Sequence, residues 1–179
     1  MINPRPAAVV TEAMLADVDP IDRIEQEAFN TPWSRELLRA ALLNDAYRVR
    51  ILRTEDQGLL GFSIAHAMRG RSNLDNLAVD RAARSRGYGS QLIQDWIDDA
   101  YDRELESLTL QVNTANVRAQ KLYEQFRFRT AKLLVAYYPN GDDAYQMERS
   151  VTPRTPLLRA PGSRRYWLPA SRRGWLSGR

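Results

Sequence analysis

The stretch Arg84-Ser85-Arg86-Gly87-Tyr88-Gly89 decides how this chain reads. In front of it, Leu74 to Val79 is a strand candidate. Behind it, Leu92, Ile93, Trp96, Ile97 and Ala100 recur at i, i+1, i+4, i+5 and i+8, the apolar face of a helix. A helix start presents unpaired backbone N–H groups and a partial positive charge, and glycine lets the backbone approach a phosphate closely. Strand, glycine loop and helix together therefore suggest a pyrophosphate cradle. The dinucleotide fingerprint G-x-G-x-x-G fails here, because Leu92 occupies the third glycine position and the loop follows a fourth strand. No G-K-[ST] phosphate loop is present either. On its own residues the loop reads equally well as an arginine-rich, solvated strand-to-helix turn.

Working outward, Ala7 to Thr11 is a short strand candidate, and Asp19-Pro20 supplies an N-cap and a first-turn proline for a helix carrying Ile21, Ile24, Ala28 and Phe29. Ser34 caps a second helix with Leu37, Leu38, Ala41 and Leu42 on one face. From Tyr47 the period changes to two, and a second apolar run covers Leu59 to Met68, so a meander follows, with a turn expected at Gly70 to Asn73. Beyond the glycine loop and its helix, Leu108, Leu110 and Val112 mark a strand, and Ala119, Leu122, Tyr123 and Phe126 mark a helix. The runs Phe128 to Tyr138 and Ala144 to Glu148 flank the turn Pro139-Asn140-Gly141-Asp142. The order β, α, α, β, β, β, α, β, α, β, β predicts a mixed α/β sheet.

Composition narrows the chemistry. With 179 residues and 44% of them hydrophobic, the chain can bury one ordinary core. Absence of cysteine rules out disulfides and thiolate metal sites, and a single histidine argues against a zinc centre or a triad, so no metal is expected. Neither a signal-peptide core nor a membrane span is evident, and the expected location is cytoplasmic. Charge is uneven. Residues 151–179 hold seven arginines and no acid, more than the whole net charge of +4, which leaves residues 1–150 at −3. The expected organisation is a folded domain over 1–150 and a basic, proline-containing extension over 151–179. The arginines of that extension, interleaved with Tyr166, Trp167 and Trp175, suit contact with RNA or the ribosome, set against an extension with no partner.

The glycine loop, the preceding Asn76-Leu77-Ala78-Val79-Asp80, the segment Phe29-Asn30-Thr31-Pro32-Trp33-Ser34, and Asn116 with Leu122-Tyr123-Glu124 together resemble the GNAT N-acetyltransferases, within them the RimI group of ribosomal-protein alanine N-acetyltransferases. The resemblance covers residues 7–149. It implies a central mixed sheet of about six to seven strands flanked by about four helices, acetyl-CoA as cosubstrate, and the N-terminal amine of a ribosomal protein as acceptor. It also implies cofactor contacts from Leu77, Ala78, Val79, Arg84, Arg86, Gly87, Tyr88, Gly89, Ser90 and Asn116, an acceptor-side role for Trp33, and Tyr123 as the acid that protonates the leaving thiolate. Read from the residues alone, Tyr123 is equally a core tyrosine, and Trp33 a staple on the second helix.

Two positions depart from that pattern. Gln111 stands where the group carries a glutamate general base, and an amide accepts no proton at useful pH; Asp75 on the neighbouring strand is the alternative base. Arg127 replaces a glycine after the last helix, so the turn there is expected to differ. His66 reads as a satisfied structural histidine within an apolar strand. The alternatives to N-terminal transfer are acetylation of lysine or a small amine, or a weakly catalytic acetyl-CoA-binding module.

Overall fold

The computed structural model of the chain describes residues 8–54 and 58–151. In order, the elements are β1 (Val9–Glu12), α1 (Val18–Ala28), α2 (Arg35–Leu42), β2 (Tyr47–Thr54), β3 (Gly58–Met68), β4 (Arg71–Val79), α3 (Tyr88–Asp102), β5 (Ser107–Asn113), α4 (Val117–Gln125), β6 (Arg129–Leu134) and β7 (Ala144–Ser150). Seven strands form one sheet in the order β1-β2-β3-β4-β5-β7-β6. Every neighbouring pair is antiparallel except β4 with β5.

Period-two patterning gives each strand one residue set per face, and the helices cover the two faces unequally. Ile21 and Ile24 of α1 and Leu38 and Ala41 of α2 pack on Val49, Ile51, Phe62, Ile64 and Ala78. On the opposite face, Ile93, Trp96, Ile97 and Ala100 of the predicted α3 stripe, with Tyr123 of α4, pack with Leu74, Leu108, Leu110, Val112 and Met147, while Leu92 packs with Leu52, Leu60 and Ala83. Each large side chain buried this way contributes about 1.5–3 kcal/mol. The side chains of β5 that alternate with that second set, Thr109 and Gln111, face the α1/α2 side. Trp96 keeps its buried indole N–H satisfied on Ser72 Oγ at 2.9 Å and stacks on Phe128 at 5.5 Å.

Several local expectations are corrected. A 3-10 turn at Leu15–Asp17 leads into α1 at Val18, so Asp19 lies inside the first turn and is not the cap; Pro20 still falls where no helical N–H is needed. The expected turn at Gly70 to Asn73 is the pair Arg69-Gly70, both with positive φ (51° and 77°) as a two-residue hairpin requires, and β4 starts at Arg71. The run expected from Phe128 to Tyr138 is a strand only to Leu134. After α4 the turn does not differ: Arg127 takes φ 64°, Phe128 N–H reaches Tyr123 O at 3.1 Å, and Arg127 N–H reaches Glu124 O at 2.8 Å. This is the closure glycine usually makes, held by a residue that pays about 1–2 kcal/mol for it. Val151 is buried and donates to Glu106 O at 2.9 Å, so the packed chain runs one residue past Ser150. The expectations for 152–179 lie outside the described residues.

The sheet forks in its middle. β4 and β5 pair only from Arg71↔Ser107 to Leu74↔Leu110, after which β5 continues with β7 alone and β4 with β3 alone. At the fork Ile64 opposes Asn76 while Ala65 opposes Leu74, which leaves Asp75 as a bulge residue. A bulge bends and twists its strand, the local distortion expected where two paired strands part.

Candidate active site

Asp80 N–H donates to Leu60 O at 2.8 Å, which marks these two positions as a hydrogen-bonded antiparallel pair. Bonded and non-bonded pairs alternate, so Ala78, opposite Phe62, also turns its backbone to β3. Leu77 and Val79 therefore present theirs to the fork. Of the three strand residues expected to meet a cofactor, Ala78 is turned away, its side chain buried under α1 and α2. Arg84 Nε donates to Val79 O at 3.0 Å, so that carbonyl already has one partner on the fork side.

Below the fork the glycine loop closes onto α3. Gly87 is its N-cap with φ 85°, and the first intrahelical bond is Gln91 N–H to Gly87 O at 3.2 Å. The N–H groups of Tyr88, Gly89 and Ser90 precede that bond and point out of the helix start. Gly89 fits closely under α4: a Cβ there would stand 3.3 Å from Leu122 Cδ2. Arg86 is folded back on Ala82 O at 3.1 Å, and Arg118 of α4 ties Ser85 Oγ at 3.0 Å, a loop contact that the sequence reading missed. Asn116 caps α4, its Oδ1 accepting from Ala119 N–H at 3.1 Å.

Gln111 and Asp75 are the first residues past the last β4–β5 pair, and the structure brings them together on one network. Gln111 Nε2 and Thr109 Oγ1 donate to Asn73 Oδ1 at 3.3 and 2.9 Å, and Asn73 Nδ2 donates to Asp75 Oδ1 at 2.8 Å. Asp75 Oδ2 lies 2.7 Å from His66 Nδ1. Tyr123 is not part of this group. It stands on the α3/α4 side, edge-on to Phe128 at 6.0 Å, and burial together with the neighbouring Tyr138 phenol pushes its hydroxyl pKa well up, which keeps it protonated. Tyr138 was not singled out in the sequence because it lay inside an apparent strand.

Trp33 precedes the α2 cap Ser34, whose Oγ accepts from Leu37 N–H at 3.3 Å. Its ring packs into the cluster that holds Leu38 and meets Tyr47 edge-on at 6.2 Å. Glu25 fixes this segment. It is fully buried, and its Oε1 accepts from Trp33 N–H at 2.9 Å and Asn76 Nδ2 at 2.6 Å, while Oε2 has no hydrogen-bond partner. Burial pushes its carboxyl above the ordinary range. Glu25 reads in the sequence as a polar position of an amphipathic helix, and one of its two partners, Asn76, is 51 residues away.

The acetyltransferase (GNAT) family model matches residues 18–128, which takes in the fork, the glycine loop and α4 through Phe128. The chain belongs to this family. A relative from Haemophilus ducreyi, named [ribosomal protein bS18]-alanine N-acetyltransferase, is 33% identical over 128 residues, covering 70% of this chain and 86% of the relative. The protein of the same name from Escherichia coli strain K12 is 30% identical over 126 residues, 70% of this chain and 84% of its own. Among solved structures, the ribosomal-protein-S18-alanine N-acetyltransferase of Escherichia coli superposes with a TM-score of 0.76 at 27% identity, over 85% of this chain and 99% of its own. Arabidopsis thaliana NAA60, solved with acetyl-CoA, shares the fold at TM-score 0.74 and 16% identity, over 81% of this chain and 99% of its own. As a GNAT protein the chain is an acyltransferase. Among the described residues no group of three or more His, Asp and Glu is placed to hold a metal ion, and no helix is long and apolar enough to cross a membrane.

Proposed function

We infer that this protein transfers the acetyl group of acetyl-CoA to the N-terminal α-amine of a protein, with alanine at that terminus and a ribosomal protein as the acceptor. The observation that carries this reading is the fork between β4 and β5, which opens immediately beyond Leu74 and Leu110 next to the glycine-loop helix start. The names of the relatives at 30–33% identity support alanine and a ribosomal acceptor.

In this reading the pyrophosphate accepts from the N–H groups of Arg86, Gly87, Tyr88, Gly89 and Ser90, and the pantetheine arm pairs with Leu77 and Val79 in the fork. The amine attacks directly, so no residue is acylated. Backbone N–H groups of β4 past the bulge polarise the thioester carbonyl. Tyr123 approaches from the α3/α4 side and donates to the thiolate as charge develops on sulfur; burial keeps its proton in place until then. Asn116, already committed through Oδ1, has its amide Nδ2 left for the cofactor. Trp33, held by Glu25, borders the acceptor channel.

Gln111 bears on the choice of acceptor. An α-amine has a reference pKa of about 7.7–8.0 and costs only about 1–1.4 kcal/mol to deprotonate at pH 7, against about 4.6 kcal/mol for lysine near 10.4. A site lacking a strong carboxylate base is therefore less handicapped on an N-terminus. The test is a peptide carrying both a free N-terminal alanine and an internal lysine, incubated with acetyl-CoA and mapped by fragmentation mass spectrometry. The expected acetyl group is on the α-amine; a label on the lysine side chain alone would refute the reading.

A further inference from the structure

His66, the only histidine of the chain, lies on β3 opposite Asn73, beside the last β4–β5 pairs from which the fork opens. Its Nδ1 meets Asp75 Oδ2 at 2.7 Å, and the other carboxylate oxygen is taken by Asn73 Nδ2 at 2.8 Å. With both oxygens engaged, Asp75 is better placed to orient a neighbour than to take up a proton itself. An ionised carboxylate only accepts, so Nδ1 donates to it, and in the neutral ring Nε2 then carries the free lone pair. The imidazole keeps 36% of its side-chain surface open, against 17% for Asp75, so a water or an amine has access to it. Asn73 links this pair to Gln111, the position where a carboxylate is missing. On its other flank the ring of Tyr47 lies 5.6 Å from the imidazole, and Trp33 lies beyond Tyr47, so His66 sits between the fork and the Trp33 segment.

We propose that His66, oriented by Asp75, accepts the proton of the acceptor amine in place of the carboxylate absent at Gln111. The assignment rests on the acetyl-transfer reading above. The acceptor ammonium gives one proton, directly or through one water, to His66 Nε2 and from there to solvent. The neutral amine then attacks the thioester carbon, the N–C bond forms and the C–S bond breaks. The departing thiolate takes its proton from Tyr123, which is resupplied by the second amine proton. The products are amide, thiol and one released proton. Asp75 from β4 and Tyr47 from β2 face the imidazole. Thr109 and Gln111 of β5 connect to it through Asn73, and of the acids of α1, Glu25 is engaged by Trp33 and Asn76, Asp19 and Asp22 by Arg35, and Glu27 by Arg23.

The test compares wild type, His66→Asn, whose amide can still donate to Asp75, and His66→Asn combined with Gln111→Glu. Rates are measured from pH 6 to 9.5 on whichever amine wild type acetylates fastest among an N-terminal alanine peptide, an N-blocked lysine peptide and spermidine. On the alanine peptide, His66→Asn should lose about 10-fold in kcat/KM at pH 7, the cost of the amine being mostly protonated there, recover to within about twofold near pH 9 where the amine sheds its own proton, and bind acetyl-CoA as wild type does. The added Gln111→Glu should restore part of the rate at pH 7. On the alanine peptide, a loss equal at every pH, or no loss, overturns the role of His66. If wild type prefers lysine or spermidine, the acceptor reading fails. An amine of pKa about 10.4 keeps its proton through this range, so the role of His66 is then upheld by a loss at pH 7 that Gln111→Glu partly restores and overturned by no loss or by no restoration. If wild type acetylates none, both fall.

Discussion

Glu25 provides a demanding check on how the Trp33 segment is held to the sheet. Glu25→Ala removes the acceptor of two bonds, at 2.9 Å from Trp33 N–H and 2.6 Å from Asn76 Nδ2, and strands both donors in a buried setting. Each unsatisfied buried group costs about 1–3 kcal/mol, so the variant should lose roughly 2–6 kcal/mol. For a chain of this size that is a fall in Tm of about 5–20 °C. Glu25→Gln keeps an acceptor for both donors and removes a buried charge whose Oε2 has no hydrogen-bond partner. The sign of its pH dependence follows from burial raising the Glu25 carboxyl above its ordinary 4.5. Between that value and the raised one, the folded protein holds a proton that the unfolded chain has lost, so wild-type stability falls as pH rises. Relative to Glu25→Gln, wild type should lose stability from about pH 4.5 upward and level off above the raised pKa. Thermal melts of the three proteins from pH 4 to 8 test this. The reasoning is refuted if Glu25→Ala melts within about 1 °C of wild type, or if the difference between wild type and Glu25→Gln does not change with pH.

Three further outcomes are expected. Tyr123→Phe should lower kcat about 100-fold or more with acetyl-CoA affinity unchanged in calorimetry, the outcome that the proposed protonation of the leaving group requires. Arg127→Gly should relieve the left-handed strain at φ 64° and, after the entropy glycine adds to the unfolded chain, raise stability by about 0.5–1 kcal/mol in denaturant titration. The full chain should retain RNA in filter binding with a strong salt dependence, and truncation after Val151, which spares that buried residue, should abolish the retention and leave peptide acetylation intact.

What the sequence disclosed, and what it hid, divides along the range of the interactions. The α3 stripe, the Ser34 cap, the order of the elements and the glycine loop are local patterns, and each was legible from residue spacing. The start of α1 was misplaced because Asp17, whose carboxylate takes Met14 N–H at 2.8 Å, sits in a 3-10 turn that propensities do not distinguish from Asp19-Pro20. His66 was read as a satisfied histidine, and it is satisfied, but its partner depends on a bulge at Asp75 and on the β3–β4 register, neither of which leaves a mark in composition or period. Glu25 leaves no mark for a similar reason, since its partner Asn76 comes from a distant strand, whereas Tyr138 is hidden by a local pattern that reads as a strand to its end. The turn at Arg127 shows the opposite case, a residue that argued against a conformation which the packing of Phe128 between Trp96 and Tyr123 imposes all the same.

The most direct test of the central claim is the initial rate of thiol release from acetyl-CoA by the full chain, with a short peptide beginning in free alanine set beside the same peptide blocked at its N-terminus. Release that requires the free α-amine, saturates with peptide and is absent from the blocked control is the predicted result. Equal rates on the two peptides, or acetyl-CoA binding with no peptide-dependent release, would contradict the assignment.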